Sequence, residues 1–268
     1  MTVMAFQIPF LNKTPSVSVL HLSGMIAAGG RGQLNDQTLA PHIEKAFSKG
    51  KPAAVALVIN SPGGSPVQSS LIAARIRRLA DDKKIPVYAF VEDVAASGGY
   101  WLAVSADEIW ADYGSIVGSI GVISAGFGAP AFLERQGFER RVYTAGKSKS
   151  TLDPFRAEKP EDVARLKTVL DQLHDVFINY VKARRGAKIT DDLDVFSGQF
   201  WTGQAAKDLG LIDGIGHIVP ILKARFGDKV KFRSYNVKRN ILQRFGVSMI
   251  QDAVASVEER ALYARFGM

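Results

Sequence analysis

Short, almost wholly apolar runs take turns with longer amphipathic segments through the first half of this chain. Ala53 to Ile59 (AAVALVI) and Pro86 to Val91 (PVYAFV) are the clearest runs. Each has the length of a strand and too little polarity to keep one face in water. Strands of that kind lie in parallel sheets covered on both faces. Between them, Pro66 to Asp82 places Val67, Leu71, Ile72, Ile76 and Leu79 at helical spacing. An earlier pair repeats the order. Ser16 to Leu22 alternates as a strand should, and Thr38 to Ser48 carries Leu39, Ile43 and Phe47 on one side before Gly50. Strand and helix in strict rotation predict an α/β fold with a largely parallel sheet and right-handed crossovers.

The remainder continues in shorter pieces. Asp107 to Ala111 reads as a short strand, and Gly114 to Val122 as a glycine-punctuated segment. Ala129 to Gln136 reads as a short helix, Phe138 to Thr144 as a strand and Gly146 to Pro154 as a surface loop. Pro160 to Arg185 is a long helix with Val163, Leu166, Leu170, Leu173, Phe177 and Val181 along one face. Thr202 is placed to cap a short helix that stops at Gly210. A helix over His217 to Phe226 and a strand over Val230 to Tyr235 follow. The expected organisation is an N-terminal segment (1–15), one domain (16–237) and a helical extension (238–268). The extension has Val247, Ile250, Val254, Val257 and Ala261 at helical spacing. It could cover the core, a neighbouring subunit or a membrane surface, with protein as the default.

Composition removes several classes of function. No cysteine is present, so disulfides, thiol nucleophiles and thiolate metal sites are excluded. No apolar run reaches about 18 residues, the length of a membrane span. The first residues lack a basic start and an unbroken apolar stretch, and make a poor signal peptide. The expectation is a cytoplasmic protein, with a peripheral membrane contact left open. The net charge is +8, and Arg75, Arg77, Arg78, Lys83 and Lys84 cluster on one helix. No nucleic-acid motif accompanies them, so a solvated helix face is expected and no nucleic-acid partner.

Two glycine-rich junctions carry the chemical interest. Ser97 stands where the apolar run ending at Val91 gives way to Gly98-Gly99-Tyr100-Trp101, read as a helix start. Free N–H groups and the positive end of a helix surround such a serine. That setting suits a nucleophile whose reaction develops an oxyanion, although the same serine could merely cap the helix. Asn60-Ser61-Pro62-Gly63-Gly64 ends the other apolar run. Consecutive glycines after a proline let backbone N–H groups point outward, as an oxyanion hole requires. A general base is less evident. His21, His42, His174 and His217 lie in ordinary strand or helix settings, and Ala95 breaks the Gly-x-Ser-x-Gly pattern. A lysine serves as base when burial lowers its pKa from about 10.4 toward neutrality. Lys149 is a candidate beside hydroxyl groups, and Lys147 is its rival.

Five stretches occur in a telling order. They are Asn60–Gly64, Ala96–Ala103, Gly114–Val122, Lys149-Ser150 with Asp153-Pro154-Phe155, and Trp201–Ala205 with Leu209–Asp213. Together they resemble the S49 peptidases, the signal peptide peptidase A or protease IV group, from about Ser16 to Gly227. The resemblance implies a ClpP/crotonase-like α/β fold, built as a repeated β-β-α superhelix, and a Ser–Lys dyad. It implies Ser97 as nucleophile, Lys149 as general base and Ser119 as the residue that orients the lysine. Gly64 and Gly98 would form the oxyanion hole, with Gly63 shaping it. No metal or organic cofactor is implied. The substrate would be a peptide, such as a cleaved signal peptide with small or apolar residues at the scissile bond, and the protein a homo-oligomer. Two other readings stand beside it: a crotonase-like acyl-CoA enzyme, and a partner-binding or phage-type relative.

Overall fold

A computed structural model describes residues 14–29, 33–146, 148–190, 193–236 and 260–267. Most of the expected N-terminal segment, Lys147, and Val247 to Val257 of the expected extension fall outside the described residues. The strands are β1 (Ser16–Ser23), β2 (Ala54–Ser61), β3 (Val87–Ala96), β4 (Glu108–Ala111), β5 (Ile116–Gly118), β6 (Phe200–Thr202), β7 (Gly214–Ile215) and β8 (Lys231–Ser234). The helices are α1 (Asp36–Ser48), α2 (Pro66–Lys83), α3 (Gly98–Val104), α4 (Pro130–Arg135), α5 (Pro160–Arg185), α6 (Gly203–Asp208) and α7 (Ile218–Phe226).

One sheet runs in the order β6-β5-β3-β2-β1-β8, with β4 and β7 branching from β3. Every pairing is parallel except that of β5 with β6. The apolar runs explain this arrangement. Along β2, Val55, Leu57 and Ile59 enter the core under the helices α1, α2, α3 and α5. Ala54, Ala56 and Val58 point the other way, into a smaller core closed by Leu222 of α7. β3 divides its residues in the same manner. A strand covered on both faces has no place for polar side chains, which is why these stretches read as unbroken apolar runs.

On the edge away from β2, β3 has two neighbours in succession. Tyr88 to Val91 pair with β4, and Val94 to Ala96 pair with β5. The strand therefore extends well past Val91, up to the residue before Ser97. The short strand β6, not foreseen in the sequence, closes the sheet beside β5.

α5 is fastened at its C-terminal half. Trp101 of α3 stacks on Phe177 at 4.7 Å and on Tyr180 at 5.1 Å. Of the six apolar positions predicted for its inner face, only Phe177 and Val181 are buried. Leu173 remains 36% exposed, and Val163, Leu166 and Leu170 are only half-buried. Nor does the strand predicted over Phe138 to Thr144 form; those residues are unpaired and largely exposed. A strand needs an edge to bond to, and β6 already occupies the near edge of the sheet. The basic cluster on α2 is a salt-bridged surface. Arg75 reaches Asp36 and Glu44, and Arg77 reaches Asp81 and Asp107.

The far end of α5 is held by a buried ion pair. Arg185 donates to Asp213 at 2.7 Å and twice to the Gly210 carbonyl. Lys188 and the Ile109 N–H also donate to Asp213. Burial alone would raise the Asp213 carboxyl pKa; these donors outweigh it and hold the group below its ordinary value of 3.8. A carboxylate with a depressed folded pKa adds stability above its unfolded pKa and loses that stability as the pH falls through the folded one. Arg185→Leu should therefore cost about 3 kcal/mol at pH 7, by leaving a buried carboxylate short of its main partner. In urea denaturation the difference from the wild type should shrink below about pH 4, as Asp213 takes up a proton. A difference that stayed constant down to pH 3 would show that Asp213 is not the group concerned.

Candidate active site

Ser97 occupies the single residue between β3 and α3. Its φ is 52° and its ψ is −121°, a conformation that L-residues rarely adopt. Such a backbone costs about 1–3 kcal/mol and persists only where its surroundings over-determine it. Two bonds do so. The Ser97 N–H donates to the Gly118 carbonyl at 2.8 Å, and its carbonyl accepts from the Trp101 N–H at 3.0 Å. The Ser97 side chain makes no capping bond to the helix it starts. Its hydroxyl is therefore not committed to the structural role that a serine at this position usually plays.

The Asn60–Gly64 turn packs directly against this junction. A Cβ on Gly63 would lie 2.7 Å from the Gly98 nitrogen, 2.8 Å from the Ala96 oxygen and 2.9 Å from the Ser97 Cβ. Only glycine allows the two turns to approach this closely. Gly64 has φ +139°, and a Cβ there would run into the Ile26 carbonyl. Ile26 fixes the turn from both sides. Its N–H donates to the Gly63 carbonyl at 2.8 Å, and its carbonyl accepts from the Ser65 N–H at 2.7 Å. The N–H of Gly64 between them has no acceptor among the described residues, and neither does that of Gly98. Gly63 is buried while Gly64 faces out.

Ser119 comes to the same place through the sheet. Ala96 pairs with Gly118 in parallel register, so Ser97 and Ser119 follow the paired residues side by side. Adjacent strands lie about 4.8 Å apart, which sets the scale of their separation. Ser119 also has a positive φ, 53°. Its N–H donates to the Gln199 carbonyl at 2.6 Å, and its own carbonyl accepts from the Gly121 N–H at 2.9 Å. β6 thus serves to hold Ser119, through the backbone of the residue just before it.

Lys149, the predicted base, makes no side-chain bond to Ser97 or Ser119 among the described residues. It sits in a turn, its N–H donating to the Gly146 carbonyl at 3.3 Å, and its side chain is exposed. No described residue from Gly121 to Val176 is buried. This stretch forms an arm whose aromatics face solvent, with Phe127 95% and Tyr143 90% exposed. Among the described residues, no histidine bonds to Ser97. His174 Nε2 lies 2.9 Å from the Ile120 carbonyl, and His217 faces Asp112. Tyr100, behind the junction, donates to the Leu211 carbonyl, and burial pushes its hydroxyl pKa far up. No group of His, Asp and Glu able to hold a metal occurs among the described residues. The arrangement can thus set one uncommitted hydroxyl beside two backbone donors that have no acceptor among the described residues. Sequence reasoning had missed Ile26 and Gln199, which position these groups through backbone atoms and leave no trace in residue type.

Comparison with known proteins identifies the family. The family model for peptidase family S49 matches residues 79–225, more than half of the chain. A Synechocystis protein named as a protease is 32% identical over 209 residues, which span 78% of this chain and 73% of that protein. A Brucella melitensis protein named Na(+)/H(+) antiporter NhaA is 48% identical over 271 residues. That match takes in 94% of this chain and only 37% of the longer protein. Among solved structures, a lysine-to-alanine mutant of the 1510-N membrane-bound stomatin-specific protease, in complex with a substrate peptide, superposes with a TM-score of 0.53 at 16% identity. It covers 91% of this chain and 98% of its own, and the likeness is one of fold: an open, mostly parallel sheet flanked by helices. The chain belongs to peptidase family S49.

Proposed function

We propose that this protein is a serine endopeptidase in which Ser97 attacks a peptide carbonyl and Lys149 takes up its proton. The observation that carries the reading is the strained, uncapped Ser97 beside the unpartnered N–H groups of Gly64 and Gly98. In the proposed reaction these two amides stabilise the tetrahedral oxyanion. Ser119 orients the lysine. The lysine then protonates the leaving amine and activates a water that releases the acyl group. Residues 16–237 form the catalytic domain in this reading. The substrates are peptides with small or apolar residues at the scissile bond, such as signal-peptide remnants.

The exposed arm supports assembly into a homo-oligomer. A lysine removes protons only in its neutral form, and burial favours that form. The exposed apolar side chains of the arm, and Val169, Leu173 and Val176 on α5, offer a surface that another copy could cover. A neighbouring copy seated there would desolvate Lys149 and complete the site.

Hydrolysis of fluorogenic peptides with small or apolar P1 residues tests the dyad. Ser97→Ala and Lys149→Ala should abolish turnover, while Lys147→Ala stays active. Turnover that survives Ser97→Ala would sink the mechanism. A silent wild type on an assembled sample, together with binding of coenzyme A, would favour the acyl-CoA reading instead.

Gly64→Ala tests the oxyanion hole. The added methyl meets the Ile26 carbonyl and must turn the Gly64 N–H away. Loss of one donor of this kind raises the barrier by ~2.7–4 kcal/mol, a fall in kcat of about 100- to 1,000-fold. A variant with unchanged thermal stability and unchanged kcat would remove Gly64 from the site.

A further inference from the structure

We infer that His174 is a positioning residue of this reaction: its Nε2–H, donated to the Ile120 carbonyl, holds the Ser119–Gly121 turn in register with Ser97. The inference rests on the reading of Ser97 as nucleophile and Ser119 as its neighbour in the site.

A carbonyl oxygen accepts and never donates, so the 2.9 Å contact requires the proton on Nε2 of His174. The bond completes a series along three consecutive residues. The Gly118 carbonyl accepts from the Ser97 N–H, the Ser119 N–H donates to Gln199, and the Ile120 carbonyl accepts from His174. Only the last uses a side chain, so it is the member of the series that a substitution can remove.

The place of His174 on α5 gives the bond its reach. One turn further along, Phe177 stacks on Trp101, which lies four residues after Ser97 and donates its N–H to the Ser97 carbonyl. α5 therefore grips the helix that begins at the nucleophile and, one turn earlier, the strand exit that carries Ser119. The buried side chain of Ile120 anchors the same exit from within the core. Immediately beyond it begins the arm that bears Lys149, with no buried residue among those described until Phe177. His174 thus sets where the Ser119 hydroxyl stands and the direction in which the arm leaves the domain.

Loss of the donor would free a half-buried carbonyl and let the turn relax. A shift of about 1 Å in a catalytic constellation lowers rate by up to about 100-fold. The test compares His174→Leu, which fills the space without a donor, with His174→Gln, whose amide nitrogen reaches about as far as Nε2. Full-length protein is assayed on the fluorogenic peptides, with kcat, KM and thermal stability measured for each, and Ser97→Ala alongside. His174→Leu should lose at least about tenfold in kcat with KM within about twofold, and His174→Gln should recover most of the loss. If the leucine variant fails to fold, His174→Asn, one bond shorter, takes its place. Equal kcat for wild type and leucine variant, with Ser97→Ala inactive, would overturn the inference and leave the parent reading standing. So would equal losses in the glutamine and leucine variants. Turnover in Ser97→Ala would overturn the parent reading and this inference with it.

Discussion

A serine backbone held at positive φ between a strand and a helix cannot hold itself there. The pairing of β3 with β5 supplies the restraint, since the Gly118 carbonyl takes the Ser97 N–H at the point where the two strands end. Everything around the junction follows from keeping that pair in place. β6 closes β5 on its outer side, Ile26 clamps the glycine turn, and Trp101 locks α3 beneath α5. The strain of about 1–3 kcal/mol is small against the two-sided burial of β2 and β3, which makes the centre of the sheet its most rigid part.

That rigidity suits preorganised electrostatics. In the proposed mechanism the N–H groups of Gly64 and Gly98 stabilise a developing charge best if they need not move when it forms. Gly63 shows how the fold meets this demand. Its missing side chain brings the two turns so close that a Cβ would touch Gly98, Ala96 and Ser97 at once. The donors on either side are then fixed by contact between backbones, with no flexible side chain intervening.

Much of this was legible in the residues. The apolar runs at Ala53 to Ile59 and Pro86 to Val91 fixed both central strands, because burial on two faces leaves no polar positions to confuse the pattern. The glycines at 63, 64 and 98 pointed to the two turns, since glycine is demanded wherever backbone must approach backbone. What escaped was of another kind. β6 is three residues long and exists only because β5 offers an edge. The strand expected over Phe138 to Thr144 has suitable residues and no edge to join. The inner face of α5 was read as continuous, and of its six positions only Phe177 and Val181 are buried. His174 looked like an ordinary helical histidine, because its partner is a backbone carbonyl 54 positions away, and residue type carries no record of that.

The division of the site follows the same physics. Ser97, Gly98 and Ser119 stand on a packed core, while Lys149 stands on an arm that has no buried residue among those described. In the proposed mechanism a lysine held in water is a poor base, so the reaction needs the arm desolvated. In that reading neighbouring copies would supply the burial, seated on the exposed apolar side chains of the arm and of α5. An isolated chain would then carry its nucleophile preformed and its base unready. In that reading, coupling proton transfer to assembly would confine peptide hydrolysis to the assembled protein.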